Sequence, residues 1–179
     1  LVYRGFNQRI CLLGGESTGK TTLAQALANE YATSWVPEYG RELWDEKKGI
    51  FQYDDMLKIA KSQIERENVL TPEANRWLFC DTSPLTTLLY SYALFETADS
   101  RLETMANRQY DHVFLCQPDF DFVQDGTRRD ASFRVQQHHW YVAELAKRGV
   151  QYTVLSGDIQ HRMAVVGATL AVAAAPHTD

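Results

Sequence analysis

The sequence predicts an α/β protein, a five-stranded parallel sheet with helices on both faces. Three observations carry this. Five short apolar runs, at 9–13, 33–38, 76–81, 111–116 and 150–155, alternate with stretches of helical periodicity. That alternation implies right-handed crossovers and a sheet covered on both sides. The chain has 179 residues, enough for one α/β domain with a substantial core. It shows no repeat, low-complexity tract or interdomain linker, so residues 1–179 read as a single domain.

Arg9 to Leu13 is the first strand. The stretch after it, Gly14-Gly15-Glu16-Ser17-Thr18-Gly19-Lys20-Thr21, fits G-x-x-x-x-G-K-[ST], the phosphate-binding P-loop. A helix follows, with Leu23, Ala24, Leu27, Ala28 and Tyr31 on one side. Strand, loop and helix in this order are the context a P-loop needs. Gly14 and Gly19 let the backbone turn tightly around an anion. The N–H groups of residues 15–21 and the helix N-terminus then aim at phosphate oxygens. Lys20 is placed to reach the β- and γ-phosphates, and the Thr21 hydroxyl to ligate Mg²⁺. Candidate nucleotide-binding residues are Gly14, Gly15, Glu16, Ser17, Thr18, Gly19, Lys20, Thr21 and Thr22. A P-loop on the first strand makes the expected architecture a three-layer P-loop kinase-like fold.

Thr33 to Glu38 reads as the second strand, ended by Pro37. Glu38 stands at its C-terminal edge, where open α/β sheets bind ligands. It is a candidate general base, the alternative being a surface acid paired with Arg41 or Arg4. Arg41, one turn on, either binds substrate or phosphate or is an i,i+3 partner of Glu38. A short helix from Tyr39 is stopped by Gly49. Residues 54–70 form an amphipathic helix with Met56, Leu57, Ile59, Ala60, Ile64 and Val69 on its apolar side. Tyr39, Trp44 and Tyr53 lie near the acceptor side. Stacking on a heterocyclic or cationic substrate is one fate for them, and core packing is the commoner one.

The third strand, 76–81, ends in Asp81, the shape of a Walker B segment whose carboxylate helps hold Mg²⁺, a catalytic role as the proton acceptor in place of Glu38 being the alternative. Ser83-Pro84 starts a helix that runs to Phe95, and a second covers Ser100 to Gln109. Asp111 to Cys116 is the fourth strand. Residues 117–131 carry Asp119, Asp121, Asp125 and Asp130 with Arg128 and Arg129, without periodicity. A loop this long in a compact domain is usually functional, and we read about 117–134 as an arginine-bearing lid. Arg128 is the candidate that closes over a transferring phosphoryl group, the alternative being salt bridges to Asp125 and Asp130. A helix from Ser132 to Arg148, the strand Val150 to Leu155, and a last helix capped by Ser156-Gly157-Asp158 complete the chain.

The bulk numbers exclude some classes. A net charge of −5 gives no basic patch for nucleic acid. The longest apolar run, Met163 to Ala175, is shorter than a membrane span and contains Gly167 and Thr169. No signal peptide is evident. Cys11, Cys80 and Cys116 each fall within an expected strand, without metal-ligand spacing, as free thiols of a reducing cytoplasm would. His138 and His139 are adjacent on a helix and make a poor metal pair. Expected partners are a nucleotide and a small-molecule substrate, not nucleic acid or a membrane.

Four segments in this order carry a resemblance. They are Leu13 to Thr21, Glu38-Tyr39-Gly40-Arg41-Glu42, Phe79-Cys80-Asp81-Thr82-Ser83 with Thr86-Thr87, and Asp125-Gly126-Thr127-Arg128. The chain resembles the ribosylnicotinamide kinase domain of NadR-type proteins and the related AAA-like P-loop family. The resemblance implies an ATP-dependent kinase that phosphorylates the 5′-hydroxyl of nicotinamide riboside, giving nicotinamide mononucleotide for NAD salvage, with Mg²⁺ as cofactor. It implies Glu38 on the nucleoside side, Asp81 at the Walker B position, and Arg128 on the lid; the candidate substrate-binding residues are Glu38, Tyr39, Arg41 and Tyr53. Val36-Pro37-Glu38 is also similar to deoxynucleoside kinases, where a glutamate at this point serves as base. One departure is that the family often has Asp-Thr-Asp after the third strand, where this chain has Ser83 in the last position. Asp81 then acts without a second carboxylate. A kinase for another nucleoside or small hydroxyl acceptor, and a nucleotide-binding regulatory NTPase module, are the alternatives.

Overall fold

The structure, a computed structural model, describes residues 6–119 and 131–174. Its strands are β1 (Gln8–Gly14), β2 (Trp35–Val36), β3 (Trp77–Asp81), β4 (His112–Cys116) and β5 (Thr153–Leu155). Its helices are α1 (Lys20–Glu30), α2 (Tyr39–Glu46), α3 (Tyr53–Leu70), α4 (Pro84–Phe95), α5 (Ser100–Met105), α6 (Ala131–Lys147) and α7 (Ile159–Ala174). All the strand pairs are parallel, in the order β2-β3-β1-β4-β5. The P-loop strand is therefore central, flanked by the strand that ends in Asp81.

Side chains alternate across this sheet with the period of two that a strand imposes. From β1, Ile10 and Leu12 face the layer of α1 and α7, with Phe79, Phe114 and Leu155. Cys11 and Leu13 face the other layer, with Val113 and Leu115, beneath α3, α4 and α6. Both faces are covered, which is why the strands read as continuous apolar runs rather than alternating ones.

Two expected strands are shorter than the apolar runs that predicted them. Only Trp35 and Val36 of the second run pair with β3, because Pro37 has no N–H to donate and Glu38 already turns into α2. Only Thr153–Leu155 of the last run reaches β4. The expected helix 100–109 ends at Met105. The local signals at helix starts hold well. Ser83 Oγ accepts from Leu85 N at 3.2 Å and caps α4. One start was not read from the sequence: Asp55 Oδ2 accepts from Gln52 N at 2.7 Å and caps α3 from Tyr53. Asp158 Oδ1 accepts from His161 N at 2.8 Å in front of α7.

The buried stripe of α3 departs from the periodicity reading. Val69 is exposed, and the stripe runs instead through Met56, Ile59, Gln63 and Glu67. Glu67 is tolerated there because Arg108 Nε and Tyr110 Oη donate to it at 3.1 and 2.7 Å.

Candidate active site

The loop between β1 and α1 has the backbone that its glycines imply. Gly14 has φ 153° and Gly19 has φ 80°. A Cβ on Gly14 would stand 2.7 Å from Thr18 Oγ1 and 2.9 Å from the Cys116 carbonyl oxygen, so no side chain fits. Ser17 holds a left-handed φ of 56° without being glycine, strain of the kind that collects where a loop is built around a ligand. Thr18 Oγ1 donates to Gly15 O at 2.8 Å and stiffens the turn. Lys20 Nζ donates to Gly14 O at 2.8 Å and Gly15 O at 2.9 Å, so the ammonium lies against the loop it is expected to serve.

β3 brings its terminal carboxylate to this loop. The register pairs Leu12 with Asp81. Thr21 Oγ1 donates to Asp81 Oδ2 at 2.6 Å. Asp81 Oδ1 is buried with no hydrogen-bond partner among the described residues. Burial raises the Asp81 carboxyl above its usual range, opposed by the Lys20 charge and the Thr21 hydrogen bond. A threonine hydroxyl beside an orphaned carboxylate oxygen is a donor set that fits Mg²⁺, which takes one or two protein oxygens and completes its shell with phosphate and water. Among the described residues no group of three or more His, Cys, Asp or Glu side chains could hold a metal ion.

The corner between β2 and α2 supplies the second carboxylate. Glu38 has an extended backbone, φ −68° and ψ 108°, and leads directly into α2. It is half-buried in the wall of a cavity of about 660 Å³, within the size range of small-molecule sites. Burial, then the nearby Asp81 charge, push its carboxyl up to about 7, with Lys20 and Arg41 pulling the other way. Lys20, Thr21, Asp81, Glu38 and Arg41 all line this cavity, so the structure brings the P-loop and both carboxylates into one site.

Of the expected aromatics, only Trp44 lines the cavity, edge-to-face with Phe51 at 5.1 Å and joined there by Trp35. Neither Tyr39 nor Tyr53 is in the lining. The Tyr39 ring lies under the Arg66 guanidinium at 4.9 Å, and Tyr53 packs edge-on against Phe95 at 5.7 Å. Both leave for the same reason, that a neighbouring partner outside the cavity takes the ring face or edge. Arg128 lies outside the described residues, as does most of the expected lid. The flanks of that segment are tied to the loop: Gln137 Oε1 accepts from Glu16 N at 2.9 Å, and Arg134 Nη1 donates to Ser17 O at 3.3 Å.

Several lining residues had no strong signal in the sequence. Tyr90 comes from α4, one turn after Thr86 of the Thr86-Thr87 pair. Tyr90 Oη donates to Glu16 Oε1 at 2.9 Å. Gln63 comes from α3, and its only mark was an amide on an apolar stripe. Arg162 lies outside the cavity wall, fully buried, with Nη1 donating to the Thr18 carbonyl at 2.7 Å.

Comparison with known proteins bears on the fold and the family. The trifunctional NAD biosynthesis/regulator protein NadR of Escherichia coli strain K12 is 30% identical over 128 residues, covering 69% of this chain and 31% of NadR. The chain thus spans about a third of the length of the curated relatives it matches. Among solved structures, NadR in complex with NAD and AMP-PNP superposes with a TM-score of 0.74 at 19% identity, over 97% of this chain and 52% of that one. NadR in complex with NR gives 0.75 at 22% identity, over 91% and 51%. Thymidylate kinase from Ehrlichia chaffeensis gives 0.64 at 16% identity, over 93% and 99%. At these identities the superpositions establish a shared P-loop kinase-like fold. The model of one family, the AAA domain, matches residues 9–162, so the chain belongs to that P-loop family and counts NadR among its relatives.

Proposed function

We propose that this chain is an ATP-dependent kinase that phosphorylates the 5′-hydroxyl of nicotinamide riboside, giving nicotinamide mononucleotide for NAD salvage in the cytoplasm. The observation that carries this reading is Glu38. A carboxyl raised to about 7 beside the P-loop is a base poised near the pH at which it must work. An NTPase that only activates water or binds nucleotide has no need of an acceptor cavity behind such a base. The relation to NadR, one structure of which holds NR and another AMP-PNP, supports the choice of acceptor and donor.

Each residue then has a task. The P-loop N–H groups hold the donor phosphates, and Lys20 exchanges the Gly14 and Gly15 carbonyls for the β- and γ-oxygens. Thr21 and Asp81 are the residues that would hold Mg²⁺, which when bound offsets phosphate charge. Glu38 accepts the proton of the ribose hydroxyl as its oxygen attacks. Trp44 and Phe51 offer ring surface to the cationic nicotinamide. Arg41 supplies positive charge on the acceptor side, and Arg128 is assigned to closure over the phosphoryl group. Catalysis of this kind is positioning and electrostatics.

ADP release measured against a panel of nucleosides with Mg·ATP tests the proposal. We expect nicotinamide riboside to give the highest kcat/KM. A higher value for another nucleoside would reassign the acceptor. Tight nucleotide binding with no acceptor-dependent ADP release would refute the kinase reading altogether.

A further inference from the structure

Three residues from distant parts of the chain close a ring of hydrogen bonds beside the phosphate loop. Glu16 N donates to Gln137 Oε1 at 2.9 Å, Gln137 Nε2 donates to Tyr90 Oη at 3.2 Å, and Tyr90 Oη donates to Glu16 Oε1 at 2.9 Å. Each direction is forced. A backbone N–H and an amide nitrogen can only donate, so the tyrosine accepts from Gln137 and has its own proton left for the glutamate. Burial, then the Glu16 and Glu38 charges, hold the Tyr90 hydroxyl well above its usual range, which keeps that proton in place. Glu16 and Tyr90 both line the cavity, the first from the phosphate loop and the second from α4. Gln137 is 2% exposed and belongs to α6, outside the lining. That helix lies so close to the loop that a Cβ on Gly15 would meet Gln137 Oε1 at 2.9 Å and the Arg134 carbonyl oxygen at 3.0 Å.

We propose that Gln137 is a positioning residue that couples the two substrates, tying Glu16 of the donor loop to Tyr90 of the acceptor wall so that nucleotide and acceptor each tighten the binding of the other. This rests on the nicotinamide riboside reading. A nucleotide that orders the phosphate loop fixes Glu16, and through the ring it fixes the Tyr90 side chain in the wall that the acceptor meets. The second ligand then finds that ordering already done, whichever of the two binds first.

Calorimetry tests this by comparing Kd for nicotinamide riboside with and without saturating AMP-PNP, and Kd for AMP-PNP with and without saturating nicotinamide riboside. The two ratios must agree, and in the wild type we expect them to be at least about 5-fold. In Gln137→Leu and in Tyr90→Phe the ratio should fall toward one. Gln137→Glu keeps an acceptor for Glu16 N but has no proton for Tyr90, so it should show the same loss even if the leucine variant folds poorly. The double variant Gln137→Leu, Tyr90→Phe should lose no more coupling than either single one, because one broken bond already opens the ring. A side chain that serves only packing would weaken each ligand alone and leave the ratio unmoved. A wild-type ratio of one, or a ratio unchanged in Gln137→Glu and Tyr90→Phe, overturns the coupling and leaves the kinase reading intact. A wild-type chain that binds AMP-PNP but neither binds nor phosphorylates nicotinamide riboside overturns both.

Discussion

Replacing Glu38 with Gln removes the proton acceptor while keeping its shape. The wild-type side chain titrates at about 7, held there by burial and by the Asp81 charge. Only the ionised form takes a proton, so kcat/KM with nicotinamide riboside should rise about tenfold per pH unit below that value and level off above it. General-base catalysis is worth about 10²- to 10⁴-fold, or roughly 3–5 kcal/mol of barrier, so Glu38→Gln should lose that much in kcat at pH 8. Its smaller loss at pH 6 gives the signature, since the wild type is itself mostly protonated there. The assay is initial ADP release from pH 5.5 to 9 at saturating Mg·ATP. ATP also titrates in this range, so the variant is its own control: an inflection belonging to Glu38 disappears in Glu38→Gln. A variant whose pH profile matches that of the wild type, or that loses less than tenfold in kcat at pH 8, refutes the role.

Other outcomes follow from the same geometry. Glu38→Gln should also stabilise the fold at high pH. The native carboxyl binds its proton more tightly than the unfolded one, whose value is near 4.5, so stability falls as pH rises from there to about 7. The gain, discounted because the side chain is half-buried, is on the order of 1 kcal/mol at pH 8, or about 2–4 °C in Tm, and vanishes at pH 4. Lys20→Ala should cut kcat by about 10²-fold or more with the circular dichroism spectrum unchanged, since it removes charge stabilisation at the phosphoryl group. Asp81→Asn should raise the Mg²⁺ concentration needed for half-maximal activity, read by a metal titration. Gly14→Ala forces a Cβ against the Cys116 backbone carbonyl and should weaken nucleotide binding by more than tenfold, measured by calorimetry.

Much of this site is written in short stretches of sequence. The P-loop is legible because glycine positions, lysine and threonine are set by contact with one rigid ligand, phosphate, and all of them lie within eight consecutive residues. Asp81 and Glu38 are legible because strand tips in a parallel sheet converge on one edge. Gln137 and Arg162 are not, since each makes its decisive contact across a large gap in the chain, and no local pattern records which carbonyl or N–H will be waiting. Tyr39 and Tyr53 show the converse. Proximity in sequence to Glu38 put them near the site, and side-chain direction on α2 and α3 took them to Arg66 and Phe95 instead. The short β2 reflects a backbone limit: Pro37 ended pairing before the apolar run ended.

The phosphate cradle lies far ahead in sequence of the residue that clasps it. Its Thr18 carbonyl is clasped by Arg162, 144 residues later, whose other nitrogens hold Gly157 O and Gln117 O at 3.0 and 3.1 Å. A nascent chain released from the ribosome short of α7 carries the whole P-loop motif without the clasp that shapes it. A ligand that binds the shaped loop therefore favours, during refolding, chains in which the loop and α7 have met.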